Sequence, residues 1–184
     1  MTRQLTQLKL KMILASIILL TVFSAQAQRT TTIGNAPRTG SSNSTFAVIK
    51  GQQIGIKMKA GSKPVKLLKL NFGVENRSND SLQFKVNVYE FNGALPDENL
   101  VKQTIVGSIP KGNNRINVDL SPYEIEVKGT ILVSIEWLNT QHVAEPSFHI
   151  GLFNGGTWNY ENDAWKHTPV AGVDFSVLVE KLKK

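Results

Sequence analysis

The side chains of this chain best suited to chemistry are three histidines, scattered carboxylates, and the aromatic run Thr157-Trp-Asn-Tyr160 with Ala164-Trp-Lys-His167. Flat rings beside amide, carboxylate and imidazole groups can stack on a sugar ring and hydrogen-bond its hydroxyls. Trp158, Tyr160, Trp165 and His167 are therefore the candidate ligand-binding set. Strand alternation offers a competing reading, in which Trp158 and Tyr160 are buried as one inner pair and Trp165 plugs the end of the fold, because aromatic side chains bury the most area.

Catalysis is poorly provided for. There is no Gly-x-Ser-x-Gly elbow, and His142, His149 and His167 lack a serine and carboxylate partner pattern. The enzymatic reading is a small hydrolase around His142, Glu145 and His149, with His149 on an outer strand face beside Ser147 and Gly151. The acid pairs Glu124 with Glu126 and Glu161 with Asp163 sit two residues apart, so each pair shares a strand face. Glycoside chemistry needs two carboxyls facing each other across about 5 to 9 Å.

Metal chemistry is equally bare. The chain has no cysteine, which removes disulfides, thiolate metal sites and a cysteine nucleophile. His-x-x-x-His and His-Glu-x-x-His spacings are missing too. The loops Asn76-Arg-Ser-Asn-Asp80 and Asn159-Tyr-Glu-Asn-Asp163 hold oxygen ligands that suit calcium, but such runs read first as turns. No catalytic residue, metal or cofactor is expected.

These residues must be positioned by strands. Ser81-Leu-Gln-Phe-Lys-Val-Asn-Val-Tyr-Glu-Phe91 alternates apolar and polar, so Leu82, Phe84, Val86 and Val88 should face a core while Gln83, Lys85, Asn87 and Tyr89 face water. The same reading sends Leu68, Leu70, Phe72 and Val74 inward, with Ile116, Val118, Leu120, Ile131, Val133, Ile135 and Trp137.

Ten strands are expected: 45–50, 53–59, 66–75, 81–91, 102–109, 114–120, 130–138, 147–153, 157–160 and 173–181. A helical turn fits only at Pro96 to Val101. Gly61-Ser-Lys-Pro64, Asn92-Gly93, Lys111-Gly-Asn-Asn114 and Lys128-Gly129 punctuate them, and Asn154-Gly-Gly156 reads as a hairpin turn between Phe153 and Trp158. Many short strands with such separators predict an all-β fold: one antiparallel two-sheet β-sandwich of jelly-roll type.

The amino terminus carries Arg3, Lys9 and Lys11, then an apolar run from Met12 to Phe23, then Ser24-Ala-Gln-Ala27. That order is the pattern of a cleaved signal peptide, residues 1–27, and the run is short of the roughly 20 residues that span a bilayer. Cleavage would leave 157 of the 184 residues and, with three basic residues gone, lower the formal charge from +7 to +4. Residues 28–44, rich in Thr, Ser, Asn, Gly and Pro, read as a flexible leader, and 45–184 as the sandwich.

Gln28 stands where a bacterial lipid anchor would need cysteine, so the product is expected to be exported, periplasmic or extracellular, and not a lipoprotein. It should have no membrane insertion after signal cleavage. The dispersed basic residues read as solvated faces, with no nucleic-acid partner.

Three segments together resemble a sandwich domain of secreted proteins of the Bacteroidetes type. They are Gly51-Gln-Gln-Ile-Gly55; Phe84-Lys-Val-Asn-Val-Tyr89 with Gly93-Ala-Leu-Pro96 and Leu100; and Val118-Asp-Leu-Ser-Pro-Tyr-Glu-Ile125 with Val133-Ser-Ile-Glu-Trp137. The resemblance covers about Phe46 to Lys181, and it is similar also to galactose-binding-like accessory jelly rolls of exported enzymes. Such domains often follow a carboxypeptidase-like regulatory domain, for which residues 28–44 leave no room. The resemblance implies fold and export, and brings no catalytic residue. The leading expectation is a non-enzymatic exported sandwich that binds or scaffolds at the bacterial cell envelope, its ligand not fixed by the sequence, with a glycan or an envelope protein as the candidate partners. The alternative is a carbohydrate-binding module built on the aromatic hairpin.

Overall fold

A computed structural model describes residues 30–38, 42–141 and 144–182; the signal segment expected at 1–27 and His142 lie outside the described residues. Twelve strands follow in order: β1 Thr30–Gly34, β2 Asn43–Thr45, β3 Gln53–Asn76, β4 Leu82–Glu90, β5 Ile105–Ile109, β6 Gly112–Asp119, β7 Glu126–Trp137, β8 Ser147–Leu152, β9 Thr157–Glu161, β10 Ala164–Thr168, β11 Ala171–Val173 and β12 Ser176–Lys181. Their pairings are antiparallel. The all-β sandwich expected from alternation is the fold observed.

The strand that organises it is β3, which sequence divides in two at Gly61-Ser-Lys-Pro64. Structure keeps it continuous, with its register against β7 shifting between Lys59 and Gly61 and again before Val65. Gly61 supplies the bend with φ +96°, a conformation open to glycine. The first half of β3 lies between β9 and β7, and the second half between β12 and β6. One strand thus serves both layers.

The layers meet over aromatic rings. Phe72 of β3 packs edge-on against Phe84 of β4 at 5.7 Å between centroids, and tilts against Phe175 at 4.8 Å. Leu82, Phe84, Val86, Val88, Ile131, Val133, Ile135 and Trp137 point into this core as alternation requires. Leu68 does not. Leu178 and Val179 of β12 lie opposite Lys69 and Leu67, so Leu68 is the extra residue of a bulge, and Leu67 takes its buried place. A bulge resets the alternation that sequence extends unbroken.

Other differences share one cause: backbone pairing recruits segments that side chains do not advertise. Residues 28–44, expected as a flexible leader, contribute β1, paired along its length with β12, and β2, paired with β8. Polar Thr30-Thr-Thr32 needs no apolar face to add a strand to an open edge, and Thr suits extended backbone. The strand expected at 45–50 shrinks to the end of β2 and a single bridge from Val48 to Gln141. Asn154-Gly-Gly156 turns the chain but does not join paired strands. Instead β8 pairs with β11 and β9 with β10. Pro96 to Val101 is not helical; it lies along β4, with Asn99 bridged to Tyr89.

The Asn76 to Asp80 loop spends the side-chain oxygens of Asn76 and Ser78 on its own backbone, and that of Asn79 on Lys111. Ser78 N–H donates to Asn76 Oδ1 at 2.9 Å and Asp80 N–H to Ser78 Oγ at 3.1 Å. The Asn76 amide donates to Asp80 O and Ile109 O. It is a turn, as such runs are first read. The second run considered for calcium, Asn159 to Asp163, begins inside β9 and ends in the β9–β10 turn.

Candidate functional site

Alternation along β9 sends Trp158 and Tyr160 to one side and Asn159 and Glu161 to the other. Cross-strand register sets Trp158 opposite His167 and Tyr160 opposite Trp165. His167 stacks on Trp158 at 4.7 Å and 19°, and Trp165 tilts against Tyr160 at 5.2 Å. The hairpin curls over its own layer. Trp158 meets Phe91 edge-on at 5.1 Å, and Trp165 meets Tyr89 at 5.6 Å.

These contacts make a second small core of Phe91, Leu132 and Trp158, with Tyr89 and Trp165 packed against it. Trp158 is only 6 % exposed, so it is unavailable for stacking on a sugar. Tyr160 and Trp165 are half-buried and turned toward each other, and His167 is exposed. The four do not form a flat platform, because cross-strand aromatic pairs bury one another.

Beneath the hairpin lies a polar network where sequence places solvent. Gln53 Oε1 accepts from Ser134 Oγ at 2.8 Å, Asn87 Nδ2 at 3.1 Å and Tyr89 OH at 3.1 Å. Asn87 Nδ2 also donates to Glu136 at 2.9 Å, and Asn99 Nδ2 to Asn87 Oδ1 at 3.0 Å. Burial pushes the Tyr89 phenol above its ordinary pKa, against the opposing pull of the Gln53 hydrogen bond. These groups satisfy one another internally, so the network ties β3, β4 and β7 together beside the hairpin.

The opposite side of β9 does open outward. A cleft of about 240 Å³ lies where β9, the start of β3, the end of β7 and the segment after β2 converge. Its lining includes Phe46, Gln52, Glu145, Asn159 and Glu161, together with Tyr160 of the candidate ligand-binding set. Asn159 Oδ1 is buried there with no hydrogen-bond partner, a state that costs free energy unless something polar fills it. Acceptor groups from Asn159, Glu145 and Glu161 over an aromatic wall suit a small hydroxyl-rich ligand. Glu161 is steadied by Lys166, 2.6 Å away.

Sequence reasoning builds the ligand-binding set from the rings of this strand and names Asn159 only beside them and in the run considered for calcium. The signal lies in the same alternation, one residue along. Of the hydrolase set, Glu145 and His149 fall among the described residues. Glu145 lines the cleft, whereas His149, expected on the surface, is buried with Nδ1 3.3 Å from Arg38 O. The arm containing Arg38 covers it. Among the described residues no group of three or more His, Cys, Asp or Glu could hold a metal ion.

No family model and no curated protein matches the chain. Among the solved structures that the chain is similar to, two are alike over most of its length. One is the clostridial cysteine protease Cwp84 after propeptide cleavage, with TM-score 0.62 and 11 % identity over 84 % of this chain and 41 % of that one. The other contains the cysteine protease and lectin-like domains of Cwp84, a surface layer associated protein of Clostridium difficile, with TM-score 0.61 and 11 % identity over 84 % and 37 %. This chain therefore spans less than half the length of either, and at that identity the likeness is one of fold.

Proposed function

We propose that this chain is an exported, non-enzymatic β-sandwich that binds a saccharide at the bacterial cell envelope. The observation that carries the reading is the unpartnered Asn159 Oδ1 at the edge of a cleft with Glu145, Glu161 and Gln52 beside the half-buried Phe46 ring. A sugar hydroxyl donates to such an oxygen, and its apolar ring face packs on an aromatic wall. The fold shared with a chain described as carrying a lectin-like domain supports the same reading, as does the resemblance to secreted sandwich domains of the Bacteroidetes type. The aromatic hairpin takes a supporting part by fixing β9, and Trp158 is not a contact residue.

The test begins with protein recovered from the exported fraction, whose amino-terminal sequence is expected to start at Gln28. A glycan array identifies a bound saccharide, and calorimetry then compares the wild type with Asn159→Leu and Glu161→Gln. Losing one hydrogen bond of about 1.4 kcal/mol raises Kd about tenfold. A blank array, or binding that neither substitution weakens, overturns the reading. Turnover of the bound glycan replaces binding with catalysis.

A further inference from the structure

The loop joining β8 to β9 and the segment joining β10 to β11 meet at one end of the molecule. Phe153 N–H donates to Val170 O at 2.7 Å. Asn154 clasps β11 twice, Nδ2 donating to Gly172 O at 3.1 Å and Oδ1 accepting from Gly172 N–H at 2.9 Å. His167 Nε2 lies 3.0 Å from Gly155 O. So fastened, Leu152, Phe153 and Val170 stand 57 %, 85 % and 50 % exposed.

Phe153 also has φ +54°, in the left-handed region that bulky side chains rarely enter. An exposed ring and a strained backbone at one position are two separate costs, and the surrounding bonds are what hold both in place. A loop serving only as a connection would carry Gly or Asn there. The fold instead presents three apolar side chains outward on a rigid tip, which marks an interaction site.

The charges around the tip indicate what it meets. Residues 150–160 and 164–173 contain no Asp or Glu. Asp174, the next acid, is fully buried and paired with Arg115 at 2.7 Å. The Arg38 guanidinium lies beside Gly151, close enough that a Cβ on Gly151 would come within 2.9 Å of its Nη2. Lys166, the other nearby cation, is paired with Glu161, which leaves Arg38 as the charge beside the tip. An apolar knob flanked by a cation, on chain segments that carry no acid, is matched to a surface that is apolar within and anionic outside.

We propose that this tip seats the protein on the surface of an anionic lipid bilayer, with Phe153 and Leu152 entering the headgroup region and Arg38 facing lipid phosphates. The contact is interfacial: among the described residues no helix is long and apolar enough to cross a membrane. It adds a surface contact to the expectation of no membrane insertion after signal cleavage, and it is independent of the saccharide cleft at the other end of β9.

The test is flotation of the exported protein with vesicles of equal phosphatidylglycerol and phosphatidylcholine, against phosphatidylcholine alone. The wild type is expected to float with the anionic vesicles and to lose binding as salt rises. Phe153→Asn removes the ring while keeping a residue that tolerates the left-handed backbone, so its thermal melt should match or exceed the wild type while its partitioning falls about tenfold. No flotation of the wild type, equal flotation with both vesicles, or flotation unchanged by Phe153→Asn overturns the proposal. Phe153-dependent self-association in sedimentation without vesicles also overturns it, and assigns the tip to a second copy of the chain.

Discussion

Asp174 is a carboxylate with no exposed surface, and its three partners come from three remote parts of the chain. Gly73 N–H donates to Oδ1 at 2.7 Å, Arg38 N–H to Oδ2 at 2.9 Å, and Arg115 Nη1 to Oδ2 at 2.7 Å. The second guanidinium nitrogen of Arg115 continues to Arg38 O at 2.6 Å. The group thereby ties β6 and β3 to the arm that follows β1. Replacing Asp174 by alanine leaves the Gly73 and Arg38 amide donors unmet and takes the carboxylate from Arg115, at a cost of about 2 to 4 kcal/mol. Urea unfolding measures this, and a loss below about 1 kcal/mol would show that the cluster is incidental. Nothing in Val173-Asp-Phe-Ser176 marks the residue, because a lone acid at a strand entry reads as solvated until its partners arrive.

Among the elements, the β9–β10 hairpin sets both sides of the candidate site. Its turn residues Asn162 and Asp163 have φ +50° and +59°, the paired left-handed conformation that two-residue hairpins favour and that Asn, Asp and Gly tolerate. Asn162→Val should lower stability by about 1 to 2 kcal/mol, and Asn162→Gly should hold or raise it. Thermal melts followed by the near-ultraviolet signal of Trp158 and Trp165 read the effect, and equal melts for both variants would contradict the assigned turn. Part of this element is readable in the sequence. The alternation of Thr157 to Tyr160 identifies β9, and the Asn162-Asp163 pair lies where the chain reverses. β10 is not readable, since Ala164-Trp-Lys-His-Thr168 is exposed along most of its length and carries only a weak pattern.

Across the whole molecule, the first described strand closes an edge. β1 pairs residue for residue with β12 from Thr30 with Glu180 to Gly34 with Ser176, and Asn35 extends the contact through its N–H to Phe175 O and its amide to Val173 O. A chain starting at Ser42 would expose β12 as an open edge and strip Asp174 and His149 of their cover. It should unfold at lower urea and self-associate through the freed edge, as sedimentation velocity would show. A truncated chain that stays monomeric and equally stable would mean that the arm contributes only decoration.

Period-two alternation is written in side-chain type and survives without knowledge of partners. The all-β class, most of the strands and nearly all of the core are therefore legible in the sequence alone, and Phe84, Val86, Val133 and Trp137 follow directly from it. The rest waits on tertiary contacts. Register shifts such as the bulge at Leu68 depend on the opposing strand. Edge pairing that recruits Thr30 to Gly34 depends on backbone groups that nearly every residue carries alike. The burial of Trp158 and the exposure of Phe153 depend on what the hairpin and the neighbouring loop fold against. A strand reports which residues share a face, and the fold alone reports what that face meets.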